Sequence, residues 1–147
     1  MNMKSFLLIF AILLGPVCSR AQNTADMTVI LQKCIDLPEL QKYYPVDNAG
    51  IPEQLCILQH GVSFPINIKV SKFGKPILFM DKKQLHDNED TSYLLFWTFK
   101  TDQNFAQVDF TYHFISADNL PQRQKVNLEL QKTNETWTVS KTKIEDR

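Results

Sequence analysis

The alternation of apolar and polar residues divides the chain into a helical region followed by a region of strands. Over residues 25–37 the apolar positions recur at spacings of three and four, which is typical of an amphipathic helix. Asn23 or Thr24 can cap its start, and Pro38 ends it because the proline ring disfavours helical geometry at the preceding residue. A second short helix is predicted over residues 38–43, with the proline in its first turn.

Beyond Pro65 the hydrophobic period changes to two, the period of β-strands. Residues 66–70 alternate between apolar and polar, and a turn over 73–76 leads into the apolar run 77–80. This pattern predicts a hairpin or two short neighbouring strands. The segment 82–90 is polar and is predicted to be a connection.

The C-terminal half has the clearest strand pattern. Residues 93–99 are apolar on both faces, which predicts a central strand covered on two sides. Residues 126–130 alternate, and a final strand is expected to carry Trp137 and Val139 inward. The intervening strand 105–115 has a predicted dry face of Ala106, Val108, Phe110, Tyr112 and Phe114, and a wet face of Gln107, Asp109, Thr111 and His113.

Helices followed by antiparallel hairpins predict an α+β fold. An N-terminal helix, or a helix pair, is expected to pack on an antiparallel sheet of about four to six strands. Residues 22–147 are expected to form one domain, because a chain of this size buries enough surface for a single core.

Residues 1–21 have the features of a signal peptide. A basic start precedes the apolar run 6–14, which is shorter than the roughly 20 residues that a membrane-spanning helix needs. Ser19 and Ala21 are small residues at the positions that a signal peptidase reads, so cleavage is predicted after Ala21. The mature chain is therefore expected to be periplasmic or secreted, without a transmembrane segment.

Cys18 opens an alternative interpretation of this leader, because a bacterial lipoprotein signal also ends at a cysteine. Such signals usually have leucine three residues before the cysteine and a small residue directly before it. Here these positions are Gly15 and Val17. Soluble export is therefore favoured over lipidation.

Cys34 and Cys56 remain as an even pair after cleavage of the leader. In an oxidising compartment such a pair favours a disulfide, and the alternative is two buried thiols. A structural zinc site is not predicted, because there is neither a second cysteine pair nor a nearby cluster of cysteine and histidine.

Composition and charge exclude several classes of protein. With 44% hydrophobic and 11% aromatic residues, the chain is too apolar for a disordered protein. Its 16 basic and 16 acidic side chains cancel to a formal net charge of zero, so no basic surface for nucleic acid is indicated. No cofactor is predicted. The oxygen-rich segment 86–90 lacks the ligand spacing of an EF-hand loop and is interpreted as a hydrated turn rather than a metal site.

The order of elements resembles the cystatin-like and NTF2-like superfamily. A leading helix is followed by long hairpins and a closing strand pair, residues 126–130 and 136–139, in which Trp137 is the specific residue. The resemblance implies a curved sheet wrapped on a helix, with a pocket between them, and exported bacterial members are often noncatalytic. The cystatin inhibitor signature Gln-x-Val-x-Gly is not matched, because Gln124 is followed four residues later by Leu128.

The aromatic residues of the C-terminal half indicate a candidate binding site. Tyr93, Trp97 and Tyr112 are predicted to contact an apolar ligand or a partner protein between helix and sheet, although a sheet core would also be rich in aromatics. The predicted function is thus an exported, noncatalytic binding module of unknown ligand.

Two alternatives remain open. Asp109 and His113 share one strand face and could act as acid and base in the polar pocket of an NTF2-like enzyme. They are about 13 Å apart along an extended strand, so catalysis would need groups from neighbouring strands. The other alternative is a structural or assembly protein of the cell envelope, in which a sheet edge pairs with another chain.

Overall fold

The computed structural model describes residues 17–88 and 92–146, with side chains from Asn23 onward. The predicted leader therefore lies largely outside the described residues. The elements, in chain order, are α1 (Val17–Ile35), a 3₁₀ helix (Pro38–Tyr43), β1 (Cys56–Leu58), β2 (Ser71–Lys72), β3 (Lys75–Pro76), β4 (Leu78–Met80), α2 (Lys82–Asp87), β5 (Tyr93–Thr101), β6 (Phe105–Ile115), β7 (Pro121–Thr133) and β8 (Thr136–Asp146).

The strands form a six-stranded sheet in the order β4-β1-β5-β6-β7-β8, and β2 and β3 form a separate hairpin. Strand β1 runs parallel to both β4 and β5. The pairs β5/β6, β6/β7 and β7/β8 are antiparallel. The architecture is thus α+β, as the sequence predicts, but the sheet is only mostly antiparallel, because β1 is parallel to both of its neighbours. The sheet is also not strongly curved, in contrast to the expected curved sheet.

The core lies between one face of this sheet and the helices. The five residues of the predicted dry face of β6 are all buried, as are Val126, Leu128 and Leu130 on β7. From α1, the side chains of Ile30 and Leu31 are fully buried in the same cluster. The predicted inward faces of the helix, β6 and β7 are therefore confirmed, and so is the short helix at residues 38–43.

Helix α1 is joined to the last hairpin through a partly buried polar contact. The carboxylate of Asp26 accepts hydrogen bonds from the Trp137 indole at 2.9 Å and from the Lys132 ammonium at 3.0 Å. Burial strengthens such contacts because little water competes for the charged groups. This contact fixes the start of the packed part of α1 over the end of β7 and the start of β8.

Two expectations for the middle of the chain are wrong, and one strand there was not predicted. Residues 66–70 are not a strand: Ile68 N–H donates to Pro65 O in a turn that leaves Ile66 fully exposed. Strand β1 was missed because all three of its residues are buried, so no alternation marks it. Helix α2 was missed because none of its residues is buried and no apolar stripe marks it, although Asp81 and Gln84 form a capping box at its start.

In the C-terminal half the predicted strands are present, but two details of the prediction are wrong. Strand β5 is not covered on both faces, because Trp97 is 53% exposed, and Val139 is not buried. Strand β5 lies inside the sheet between β1 and β6. Trp137 is buried as predicted, with 1% of its surface exposed, but Val139 is 36% exposed. Strand β8 is the edge of the sheet, and its pairing with β7 shifts register next to Leu130, the partner of Val139. The alternation predicted from Trp137 is therefore interrupted.

The predicted disulfide between Cys34 and Cys56 is not present, and the two residues are buried thiols. Cys34 lies on the core side of α1, and Cys56 lies on the interior strand β1. The two side chains fill separate positions in the packing and are not at disulfide distance. Burial raises the pKa of the Cys34 thiol well above its usual range.

Within the described residues, no helix combines the length and apolar character required to cross a membrane.

Candidate functional site: a tryptophan on the outer face of the sheet

A bulge in β5 presents Trp97 on the face of the sheet opposite the core. The pairing of β5 with β6 shifts register between Phe96 and Thr98, which pair with Phe110 and Asp109. Phe96 is fully buried, whereas Trp97 is 53% exposed. A bulge inserts one residue into a strand and changes the direction of its side chain. The bulge thus places a large aromatic ring among the polar side chains of the outer face.

The position of this ring is fixed by two neighbours. The Trp97 indole Nε1 donates a hydrogen bond of 3.0 Å to the hydroxyl oxygen of Thr111 on β6. Gly61 lies beside the ring, and a Cβ atom there would be 3.7 Å from Trp97 Cε3 and 3.1 Å from the carbonyl oxygen of Phe96. The N–H of Val62 donates to that same carbonyl oxygen at 3.2 Å. The tryptophan is therefore held in one orientation although half of it is exposed.

Around the ring is a depression of about 380 Å³, which we call the Trp97 face. Its polar floor includes a short hydrogen bond of 2.6 Å from Asn127 Nδ2 on β7 to Asp109 Oδ1 on β6. This bond fixes both side chains and leaves the second carboxylate oxygen and the amide oxygen available as acceptors. The Trp97 face is lined by Trp97, Thr98, Asp109, Thr111, Arg123, Lys125 and Asn127.

Two cations of β7 lie on the Trp97 face. In the register of the sheet, Arg123 is opposite His113 of β6, and Lys125 lies between Thr111 of β6 and Glu145 of β8. Glu145 forms an ion pair with Lys143. Within residues 17–88 and 92–146, neither cation is in an ion pair with a carboxylate. Asp109 is the single acidic residue in the lining, so the Trp97 face carries one net positive charge. It is suited to a ligand that combines a ring with an anionic group.

A second aromatic group continues the outer face beyond Arg123. The rings of Tyr93 and His113 are stacked with centroids 4.6 Å apart and an interplanar angle of 12°. Burial, with a smaller contribution from the positive charge of Arg123, lowers the pKa of His113 below its ordinary value. The imidazole is therefore held in its neutral form down to a lower pH than a free histidine.

The structure brings together four of the five predicted site residues on one face of the sheet. Tyr93, Trp97, Asp109 and His113 lie on the outer face, but Tyr112 lies on the core face. Tyr112 is fully buried, and its hydroxyl donates to Tyr43 O at 3.1 Å. The prediction that Tyr93, Trp97 and Tyr112 contact one ligand is therefore wrong for Tyr112. Successive residues of a strand point to opposite sides, so Tyr112 points into the core while its neighbours on β6 point outward.

Asp109 and His113 are on the same face but are engaged by different groups. The carboxylate of Asp109 accepts from Asn127, and the imidazole of His113 stacks on Tyr93. Four positions of extended strand separate them, and Thr111 lies between. The geometry therefore contains no direct contact through which the carboxylate could orient the imidazole as a catalytic pair.

The predicted site omitted Arg123, Lys125 and Asn127. These residues occupy alternate positions of β7, on the wet side of the apolar positions Val126 and Leu128. The alternation of residues 126–130 predicts that Asn127 is on the polar side, but it does not extend to Arg123 and Lys125. Knowledge of the register between β7 and β6 is needed to predict that Lys125 lies beside Thr111 and Asn127 beside Asp109.

A second depression, of about 450 Å³, lies at the opposite end of the hairpins and is lined in part by Asp26, Asp102, Lys132 and Glu135. The cation of this depression, Lys132, already forms ion pairs within the protein, with Asp26 at 3.0 Å and with Glu135 at 3.3 Å. The hydrogen bond to Asp26 is the main reason that the pKa of Lys132 is raised. In the described part of the chain, no three His, Cys, Asp or Glu side chains are grouped so that they could hold a metal ion.

The fold and the site define an α+β domain with a polar sheet face centred on an exposed and hydrogen-bonded tryptophan. No family model, curated protein or solved structure matches this chain. The similarity to the cystatin-like and NTF2-like superfamily therefore stays a prediction from the order of elements.

Proposed function

We propose that the protein is an exported, noncatalytic binding module whose ligand binds on the Trp97 face. The observation that carries the proposal is the ring of Trp97, which is 53% exposed yet held in place by Thr111. An exposed and rigid aromatic side chain loses little conformational entropy on binding and offers a large contact area. Such side chains are typical of binding sites rather than of solvated surface.

The outer face is favoured over the layer between helix and sheet. On the core side, Phe110, Tyr112 and Val126 are fully buried, and Tyr44 packs its ring edge against Tyr112 at 5.2 Å. A ligand there would have to displace closely packed side chains, which costs their mutual contacts. The Trp97 face is already an open depression, so a ligand can bind there without displacing packed side chains.

The export part of the proposal is supported by the leader pattern of residues 1–21. Cleavage after Ala21 would retain residues 22–35 of α1, which include Asp26, Ile30 and Leu31, the residues that join the helix to the sheet. Amino-terminal sequencing of the protein recovered outside the cytoplasm is expected to begin at Gln22. A start at Cys18 with an attached lipid would support the lipoprotein alternative instead.

The binding site can be tested by screening a library of small fragments by ¹H–¹⁵N NMR. The two tryptophans give two indole N–H signals, and Trp97 is expected to shift with fragment hits while the buried Trp137 does not. The Trp97→Ala variant should lose these hits, whereas the matched variant Ile66→Ala, which removes another exposed apolar side chain, should keep them. Hits that cluster on Tyr112 and α1 would place the site between helix and sheet and overturn the proposal.

A further inference from the structure

We propose that the ligand of the Trp97 face is an acidic saccharide, in which a pyranose ring carries a carboxylate. This inference rests on the binding function proposed above and goes beyond it by naming the chemical class of the ligand. It follows from the combination of one aromatic ring, an amide and a carboxylate held by a hydrogen bond, and two cations within a single depression.

The aromatic component fits a sugar ring. The face of an indole carries partial negative charge because of its quadrupole, and the C–H bonds on one side of a pyranose are weakly positive. The hydrogen bond from Trp97 Nε1 to Thr111 uses the polar edge of the indole. The face of the ring is therefore the part of Trp97 that a ligand can contact. A ligand that covers this face must itself have a small, flat apolar surface.

The polar floor fits hydroxyl groups. Asn127 donates one of its two N–H bonds to Asp109, which leaves one amide donor, the amide oxygen and a carboxylate oxygen for other partners. A sugar hydroxyl donates and accepts at once, so neighbouring hydroxyls can satisfy such a mixed set. A purely apolar ligand would cover these groups without replacing their hydrogen bonds to water, at a cost in affinity.

The charged component selects an acidic sugar over a neutral one. Arg123 and Lys125 lie on the same strand face as Asn127, and the described residues provide no carboxylate in ion-pair contact with either cation. A guanidinium matches the two oxygens of a carboxylate in geometry and charge. The ligand carboxylate is thus expected to contact Arg123 while its ring covers Trp97.

Tetragalacturonate and its fully methyl-esterified form provide matched probes, because the ester keeps the rings and removes the charge. Titration of the protein by NMR should move the indole signal of Trp97 with the acid and leave that of Trp137 unchanged. The ester should bind at least roughly tenfold more weakly, since it lacks the charge-assisted hydrogen bonds that a guanidinium makes to a carboxylate. Raising the ionic strength from about 0.01 M to about 1 M should weaken the binding of the acid but not that of the ester.

Variants separate the contributions to binding. Arg123→Gln should weaken the acid roughly tenfold and leave the ester unchanged, and Lys69→Gln, which removes an exposed cation from a loop, should change neither. Trp97→Ala should weaken both probes, and Trp97→Phe should restore part of the loss. The amide signal of Thr111 reports binding in the Trp97 variants, and the indole signal of Trp137 reports that they are folded.

Equal affinity for the acid and the ester would overturn the proposal that the saccharide must carry a negative charge. Absence of any shift with either probe, or stronger binding of adenosine monophosphate at the Trp97 signal, would overturn the assignment of the ligand class. In each of these cases fragment hits on the Trp97 face would still support the binding function. If neither the fragments nor the saccharides act at Trp97, both proposals fail.

Discussion

The indole of Trp137 on β8 donates a 2.9 Å hydrogen bond to the carboxylate of Asp26 on α1, across 111 positions of sequence. The side chain of Trp137 is 1% exposed, and the same carboxylate also accepts from Lys132. The polar end of the largest core side chain is thereby satisfied inside the protein. Through this contact the helix is positioned against the final hairpin.

Removal of this acceptor should destabilise the fold. In Asp26→Ala the buried N–H of Trp137 loses its partner, and an unsatisfied buried donor costs about 1–3 kcal/mol. Urea denaturation followed by circular dichroism measures the loss. Asp87→Ala is the matched control, because Asp87 pairs with Lys83 on the surface of α2 and should change stability by less than about 0.5 kcal/mol. Equal effects of the two variants would show that the contact contributes nothing specific.

A methyl group at Gly61 should disturb the Trp97 face as well as the fold. Gly61 has a φ of +84°, and Gly50 has a φ of +77° with no atom close to where a Cβ would lie. Both alanine variants incur the left-handed strain of about 1–2 kcal/mol, but Gly61→Ala adds a close contact with Phe96 O. It should therefore be the less stable variant in urea and should shift the indole NMR signal of Trp97. An unchanged indole signal would contradict the described position of Gly61.

The lowered pKa of His113 makes stability depend on pH. Below the ordinary histidine pKa of 6.5, His113 is protonated in the unfolded chain but remains neutral in the folded protein. The free energy of unfolding therefore falls as the pH decreases from about 6.5 through the lowered pKa of folded His113. Urea denaturation at a series of pH values should show this fall. His113→Gln should flatten it, whereas His86→Gln, at an exposed position on α2, should leave it unchanged.

Removal of the neighbouring cation should move this titration. Arg123→Gln removes the smaller of the two causes of the shift, so the pKa of His113 should rise part of the way toward 6.5 and remain below it because burial persists. An NMR titration of the His113 ring protons measures the change. An unchanged pKa would show that the guanidinium lies too far from the imidazole to act on it.

The buried thiols should be inert in the folded protein. Because burial raises the pKa of Cys34, little of it is the reactive thiolate, and a thiol reagent should label neither Cys34 nor Cys56 under native conditions. In denaturant both should be labelled without any reductant, as measured by mass spectrometry of the peptides. Labelling that requires prior reduction would mean that the two residues form the disulfide predicted from the sequence.

Part of the candidate site was within reach of the sequence. The strict alternation of residues 105–115 placed Asp109 and His113 on one wet face, and both are there. Tyr93 and Trp97 were recognised as surplus aromatics, but in a strand that is apolar on both faces the sequence does not say which face is covered. Helix α1 covers only one face of the sheet. The register of β5 against β6 places Trp97 on the other face.

The sequence by itself determined the α+β order of elements and the dry faces of α1, β6 and β7, because periods of 3.6 and two are local properties of a helix and a strand. Three features were not predictable from local patterns: the bulge at Trp97, the contact of Asp26 with Trp137 and the separation of Cys34 from Cys56. Each of these depends on contacts between segments that are distant in sequence, either the register of β5 against β6 or the packing of α1 on the sheet. A local hydrophobic period does not specify such contacts.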